Sequence, residues 1–285
     1  MLLRRARRTT ATRPPVLAEP RRFRAQVAYD GAAFAGWQRQ RSLVSAQELL
    51  EVALEEATGL PVQVVASGRT DAGVHAEGQV AAFDSVTGLP PSALTHLCSH
   101  VLPDTLHVRC VDTAPPGFDP QRACVGKLYR YLVRVSDFAA PGWRATAWQV
   151  PGPLDIDAMR AAAVHLVGTH DFRGFRTDPG RARRGQDTVR TVTRIGVEQS
   201  HELVRIEAEG PGFLYMMVRN LAAVLVEVGA GRQPPSWAAD VRAARRRARL
   251  PQSAPPQGLC LVRVDYDPPW PDAPSLPARP GRRRG

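Results

Sequence analysis

Hydrophobic and polar positions alternate along this chain with two periods, and the order in which the periods change outlines its architecture. Residues 23–29 set Phe23, Ala25, Val27 and Tyr29 on one side with period two, the mark of a half-buried strand. From Ser45 the period lengthens. Leu49, Leu50, Ala53, Leu54 and Ala57 fall on one helical face, and Ser45-x-x-Glu48 is a capping box at its start. Strands at 62–69 and 77–84, a helix at 91–101 and a strand at 106–113 complete a β-α-β-β-α-β order.

The same order then recurs. A strand at 127–136 precedes a helix that Asp155 caps and that runs to about Val167. Strands at 189–199 and 202–209 flank the turn Gln199-Ser200-His201, and a helix over 214–228 ends at Gly229. A short arginine-rich helix at 236–248 and a strand at 259–266 close the pattern. The repeat predicts an α+β protein of two ferredoxin-like halves, 25–114 and 115–267, divided near Pro115-Pro116-Gly117. A cleft between the two sheets is the expected place for a large ligand.

Charge changes this picture at the ends more than in the middle. Of the net +11, most lies in residues 1–24, with eight arginines and one glutamate, and in 268–285, with four arginines and one aspartate. These Pro- and Arg-rich segments have little to bury and are expected to be disordered tails. Within the near-neutral body, Arg173, Arg176, Arg181, Arg183, Arg184, Arg190 and Arg194 form one basic cluster, and Arg242, Arg245, Arg246, Arg247 and Arg249 a second. Each alone fits a solvated face; two together point to a polyanion. No apolar run reaches the roughly 20 residues that span a bilayer, and Met1-Leu2-Leu3 leads into arginines with no secretory h-region. Cys98, Cys110, Cys124 and Cys260 show no framework spacing. A cytoplasmic protein with reduced thiols and no membrane partner is expected.

The densest chemistry lies in Gly68-Arg69-Thr70-Asp71-Ala72-Gly73-Val74-His75, between two strand-like runs. Glycines at both ends allow a tight turn that another molecule can approach. Arg69 and Asp71 share a face if the segment is extended, and a cation there keeps a partly desolvated carboxylate ionised, as a nucleophile requires. The same residues also fit an Asx turn with a structural ion pair. Tyr129 and Tyr131 alternate with Arg130, so one ring is available to stack on an unpaired base while the other packs inward; a strand core is the alternative. Arg219, on an otherwise apolar helix, needs a carboxylate, either Asp71 or an internal structural partner. His96, Cys98, His100, His107 and Cys110 fit no zinc spacing, because His96 and Cys98 point to different helix faces. Walker, dinucleotide-fingerprint and nucleophile-elbow motifs are absent from the sequence, and no metal or organic cofactor is expected.

In this order, the motifs resemble those of the TruA-type tRNA pseudouridine synthases over nearly all of 25–267. Tyr29-Asp30-Gly31 with Phe34 and Gly36-Trp37-Gln38-Arg39-Gln40 is similar to the family's first motif, and the Asp71 turn to its catalytic loop. Lys127-Leu128-Tyr129-Arg130-Tyr131, Asp171-Phe172-Arg173-Gly174-Phe175, Met217-Val218-Arg219-Asn220 and Ala254-Pro255-Pro256-Gln257-Gly258-Leu259 with Tyr266 complete the series. The resemblance implies that Asp71 is the catalytic nucleophile and that Arg69 fills the stack left by a flipped base. It implies that Tyr129 is the active-site tyrosine and that Arg219 pairs with the aspartate. It further implies a homodimer that isomerises uridine in the anticodon stem-loop of tRNA without metal or cofactor. Phe118-Asp119-Pro120-Gln121 and Ser99-His100-Val101 depart from the family pattern, at positions outside that catalytic quartet. A catalytically idle RNA-binding protein and a small-molecule enzyme are the rival readings. The first is opposed by the joint presence of the four site residues, the second by the arginine clusters.

Overall fold

In a computed structural model of the chain, residues 16–138, 140–177, 187–244 and 250–270 are described. The order is β1 (Val16–Tyr29), α1 (Ala46–Thr58), β2 (Val65–Ala66), β3 (His75–Thr87), α2 (Pro91–Val101) and β4 (Leu106–Thr113). There follow β5 (Cys124–Val135), β6 (Trp148–Val150), α3 (Ile156–Val164), β7 (Gly168–Asp171), β8 (Val189–Val192), β9 (Arg194–Ser200), β10 (Leu203–Gly210), α4 (Met217–Gly229), α5 (Trp237–Ala244) and β11 (Leu259–Tyr266). None of the described helices is long and apolar enough to cross a membrane.

Local signals explain most of these bounds. Ser45 Oγ accepts the Glu48 N–H at the start of α1, and Asp155 Oδ1 accepts the Ala158 N–H at the start of α3. The face of α1 that alternation assigned inward is buried throughout, and α2, β4 and β11 span the predicted residues.

The strands form one mixed, nine-stranded sheet ordered β4-β1-β3-β11-β5-β10-β9, with β2 on β3 and β6 on β5. This corrects the expected cleft between two sheets. β11 pairs in parallel with β3 at Cys260↔His75 and Leu261↔Ala76, and antiparallel with β5 along its other edge, so the two halves share a continuous ladder. Pairing at the junction satisfies backbone groups that an open edge would leave unpaired. The predicted strand at 62–69 shrinks to β2, and the one at 189–199 divides. Its first part pairs with β7 in a separate two-stranded sheet, while β9 continues the main one.

Two buried clusters flank the junction. One gathers Phe23, Val27, Trp37, Leu50, Leu54 and Phe83; the other gathers Tyr131, Met159, Phe172, Phe175, Leu221 and Leu225. Sequence order does not sort them fully. Val74 belongs to the second cluster, Leu261 and Tyr266 belong to the first, and Tyr129 packs against both.

The expected tails also need correction. Residues 16–24 are part of β1, where Phe23 stacks on Phe83. At the other end Trp270 is buried, with the Arg24 guanidinium 4.3 Å from its ring centre. Apolar stems and rings thus draw basic, proline-rich sequence into the packed body. The rest of both tails, 1–15 and 271–285, lies outside the described residues.

Candidate active site

The turn that carries Asp71 hangs between β2 and β3. On the edge of β3, β2 pairs at Ala81 and Ala82, whereas β11 pairs at His75 and Ala76. The turn therefore emerges where the partner strand changes, a place where chain must leave the ladder. Its bed is the segment after β1. Gly31 and Gly36 lie so close beneath it that a Cβ would sit 2.2 Å from Val74 O and 2.8 Å from Thr70 O, respectively. Gly36 also has φ +94°, a region that disfavours other residues. The Trp37 N–H donates to Thr70 O at 3.1 Å, and the Val74 N–H closes the turn onto Asp71 O at 3.1 Å.

Side chains hold the stem of the turn. Gln79 is fully buried, donates through Nε2 to Gly68 O at 2.9 Å and accepts the Ser67 hydroxyl at 2.8 Å. The Tyr29 and Thr70 hydroxyls meet at 2.7 Å. From β5, Lys127 Nζ donates to Ser67 O at 2.8 Å, and burial holds its pKa below the ordinary lysine value. The turn is thus tied to both halves of the sheet before any substrate arrives.

Arg219 lies in the first turn of α4. Its Nη1 is 3.3 Å from Asp71 Oδ2, and its Nε donates to Ala254 O at 2.7 Å. The side chains of Arg219 and Asp71 are 12% and 20% exposed, so the pair is sheltered but open to an incoming group. Asn220 turns the other way, fully buried, donating to Phe175 O at 2.7 Å and accepting the Ser253 hydroxyl at 2.6 Å. The polar pair in this apolar helix therefore divides its work: Arg219 faces the turn, Asn220 the core.

Tyr129 and Tyr131 share one side of β5. Tyr131 is fully buried and donates to Pro255 O at 2.7 Å. Tyr129 is half-buried, edge-on to Phe213 with centroids 5.4 Å apart. Burial pushes the Tyr129 phenol well above its ordinary pKa, and the nearby Tyr29 and the Asp71 carboxylate add to the effect. It is a neutral hydrogen-bond donor with a partly open ring.

Arg69 is exposed and makes no hydrogen bond or ion pair among the described residues. The expectation that it steadies Asp71 is corrected here. A cation set against the carboxylate is Arg219, 148 positions away, while Arg69 is exposed to water and avoids desolvation.

The arginine clusters are less free than their charge suggested. Arg194 meets Glu207 and Glu209 at 2.9 and 2.8 Å, and Arg242 donates to His165 O at 2.6 Å. Arg173 is exposed. Arg181, Arg183, Arg184, Arg245, Arg246, Arg247 and Arg249 lie outside the described side chains. On α2, Cys98 is buried, which pushes its thiol up to about 12, while His96 and His100 are exposed; the helix separates them as the spacing predicts.

Sequence reasoning did not assign roles to Gln79, Lys127 or the His75 ring. Gln79 was detectable as a polar residue inside an otherwise apolar run, Gly78 to Phe83. Lys127 carried no comparable signal, because its partner is a backbone carbonyl.

Comparison with known proteins identifies the family. A family model described as tRNA pseudouridine synthase matches residues 25–120 and 162–267. The tRNA pseudouridine synthase A of Myxococcus xanthus is 46% identical over 247 residues, covering 86% of this chain and 92% of that protein. The protein of the same name from Geobacter sulfurreducens is 42% identical over 84% of this chain and 96% of its own length. That of Chlamydia trachomatis serovar L2b is 36% identical over 86% and 92%. The residues matched by the family model include the Asp71 turn and the start of α4, and the chain belongs to the tRNA pseudouridine synthase family, whose members are isomerases.

Proposed function

We propose that this enzyme converts uridine to pseudouridine in the anticodon stem-loop of tRNA, with Asp71 as the nucleophile. The observation that carries the reading is the sheltered Asp71–Arg219 pair on a turn braced from both halves of the sheet. Arg219 favours the carboxylate form that a nucleophile needs. Tyr129, half-buried beside this pair, supplies a ring face for a uracil and a phenol that remains protonated. Exposed Arg69 is the residue to enter the helical stack when the base leaves it, a step that costs a few kcal/mol in unstacking.

The reaction breaks the N1–C1′ bond and forms C5–C1′. The C5 proton leaves, N1 gains one, and no electrons are exchanged, so no redox cofactor is required. The names of the relatives support tRNA as the substrate. The cytoplasm is the compartment consistent with that substrate. A homodimer follows from the resemblance of the motifs. The strand orders β4-β1-β3-β2 and β11-β5-β10-β9 support reading the sheet as two fused ferredoxin-like halves, 25–114 and 115–267.

The test is incubation of unmodified tRNA with the protein, followed by pseudouridine mapping at single-nucleotide resolution. New pseudouridine confined to the anticodon arm is the expected result. Modification elsewhere would refute the site assignment, and none at all would refute the activity. An idle RNA-binding protein would retain tRNA affinity without product.

A further inference from the structure

Beyond the groups assigned so far, His75 occupies a position that the proposed chemistry does not use. It directly follows the Asp71 turn, and its backbone forms one of the two register pairs that join β3 to β11. Its side chain is 14% exposed. The ring lies between two segments far apart in sequence. Nδ1 receives the Gly31 N–H at 3.1 Å, and Nε2 is 2.8 Å from Ala145 O.

Both contacts specify one form of the ring. A carbonyl only accepts, so Nε2 carries the proton; a backbone N–H only donates, so Nδ1 carries a lone pair. The charged group facing this ring is Asp30, whose Oδ1 is 3.2 Å from Nδ1 and also accepts the Ala32 N–H at 3.0 Å. With Nδ1 already accepting from Gly31, the Asp30 contact is not a second hydrogen bond. The neutral ring thus satisfies Gly31 and Ala145 at once.

The two segments it joins have distinct relations to the turn. Gly31 is the bed of the turn, close enough to Val74 O to leave no room for a Cβ. Ala145 follows the short 3-10 turn Pro141–Trp143 and precedes β6, which pairs with β5, the strand of Tyr129. The ring therefore links the bed of Asp71 to the half of the molecule that carries Tyr129 and Arg219.

We infer that His75 is a positioning residue: as the neutral Nε2–H tautomer it clamps the exit of the Asp71 turn between Gly31 and Ala145, fixing Asp71 relative to Tyr129 and Arg219. The inference rests on the proposed role of Asp71. A displacement of about 1 Å in a reacting group costs on the order of 100-fold in rate, so loss of the clamp affects turnover more than binding.

The test compares His75→Ala, His75→Asn and His75→Gln with the wild-type full chain. It reads kcat, KM and tRNA Kd, together with amide hydrogen exchange at Gly31. The Asn side chain offers an acceptor for the Gly31 N–H, and that of Gln a donor long enough to reach Ala145. For His75→Ala, a fall in kcat of roughly 10- to 100-fold is expected, with tRNA Kd within about threefold of wild type and faster exchange at Gly31. His75→Asn should restore slow exchange at Gly31, and at least one of the two amides should recover part of kcat. A folded His75→Ala protein with wild-type kcat overturns the inference, as does a loss expressed only in KM. If His75→Ala does not fold, the amide variants decide: wild-type exchange at Gly31 with no recovery of kcat in either overturns it. The exchange measurement needs no turnover. Failure of wild-type protein to form pseudouridine would count against the proposed function, while unchanged Gly31 exchange in a folded His75→Ala protein would count against the clamp.

Discussion

Arg219 Nη1 lies 3.3 Å from Asp71 Oδ2, bringing the first turn of α4 against a turn that precedes β3. The contact is sheltered rather than sealed, so its Coulomb energy is only partly screened and the carboxylate stays within reach of a ligand. Arg219 is fixed by its second bond, to Ala254 O, which leaves the guanidinium little freedom to follow solvent. One cation thus anchors a loop and conditions a candidate nucleophile.

Replacement of Asp71 by Asn keeps the shape of the side chain and removes its charge. Isomerisation should fall below detection, while tRNA Kd stays within about threefold, because an amide cannot serve as the nucleophile but still fills the site. Quantitative pseudouridine assays beside filter binding would separate the two effects. Near-normal turnover by the variant would end the nucleophile assignment.

Arg219→Ala removes the counter-cation and leaves Ala254 O without its donor. Loss of one partner from a fully buried pair costs about 3–5 kcal/mol, and the partial exposure here reduces that figure. Both the melting temperature and kcat should drop, with Arg219→Lys intermediate because an ammonium cannot occupy both Asp71 and Ala254 with the same planar fork. Unchanged melting and turnover in Arg219→Ala would show that the pair does neither job.

Gln79→Leu tests the stem of the turn. The substitution keeps the bulk but strands Gly68 O and the Ser67 hydroxyl in a buried setting, which costs about 1–3 kcal/mol. Urea unfolding should show a lower midpoint at an unchanged slope, with a reduced kcat from a less constrained Asp71. An unaltered midpoint would mean that water replaces the amide without loss.

Alkaline pH should destabilise the fold. Burial raises the pKa of Tyr29, Tyr129, Tyr131 and Tyr266 above the ordinary 10.0, and that of Cys98, Cys110 and Cys124 above 9.0. Such groups release protons from the unfolded chain first. Their contribution is intact below the unfolded values and is lost as pH rises from about 9 through 10 and beyond. Lys127, whose pKa is lowered by burial, acts in the opposite sense, but it is one group against seven. Melting temperatures measured from pH 8 to 11 should fall. A flat profile would mean that these groups are solvated in the native state.

Much of this was legible in the chain because period and punctuation agreed with tertiary packing. The helix over Ala46–Thr58 has a cap and an apolar face, and the sequence signal for each survives folding. The continuous sheet was not legible. Whether Cys260 pairs with His75 is decided by edge complementarity between distant strands, which leaves no periodic trace. Asp71, Arg219 and Tyr129 could be named from residue types and motif order, yet only packing tells that Arg219, rather than neighbouring Arg69, reaches the carboxylate. Gln79 and Lys127 bind backbone carbonyls, and such partners are invisible in residue identity.

Most of the terminal charge lies in 1–15 and 271–285, so cuts can be placed that keep β1 and Trp270. Deleting 1–15 and 271–285 takes away nine arginines and one aspartate, +8 of the net +11. It spares the Phe23–Phe83 stack and the Arg24–Trp270 contact. Arginines in such Pro- and Arg-rich segments should add attraction to phosphates that is independent of sequence and declines steeply with salt, whereas the choice of uridine should rest on contacts near Asp71. The truncated enzyme should therefore modify the same uridines at high protein concentration. It should bind tRNA more weakly at low salt, with a shallower dependence of log Kd on log salt. Mapping and salt titration on both proteins would decide the matter. A changed set of modified uridines in a truncated protein that melts normally would show that the ends take part in site selection.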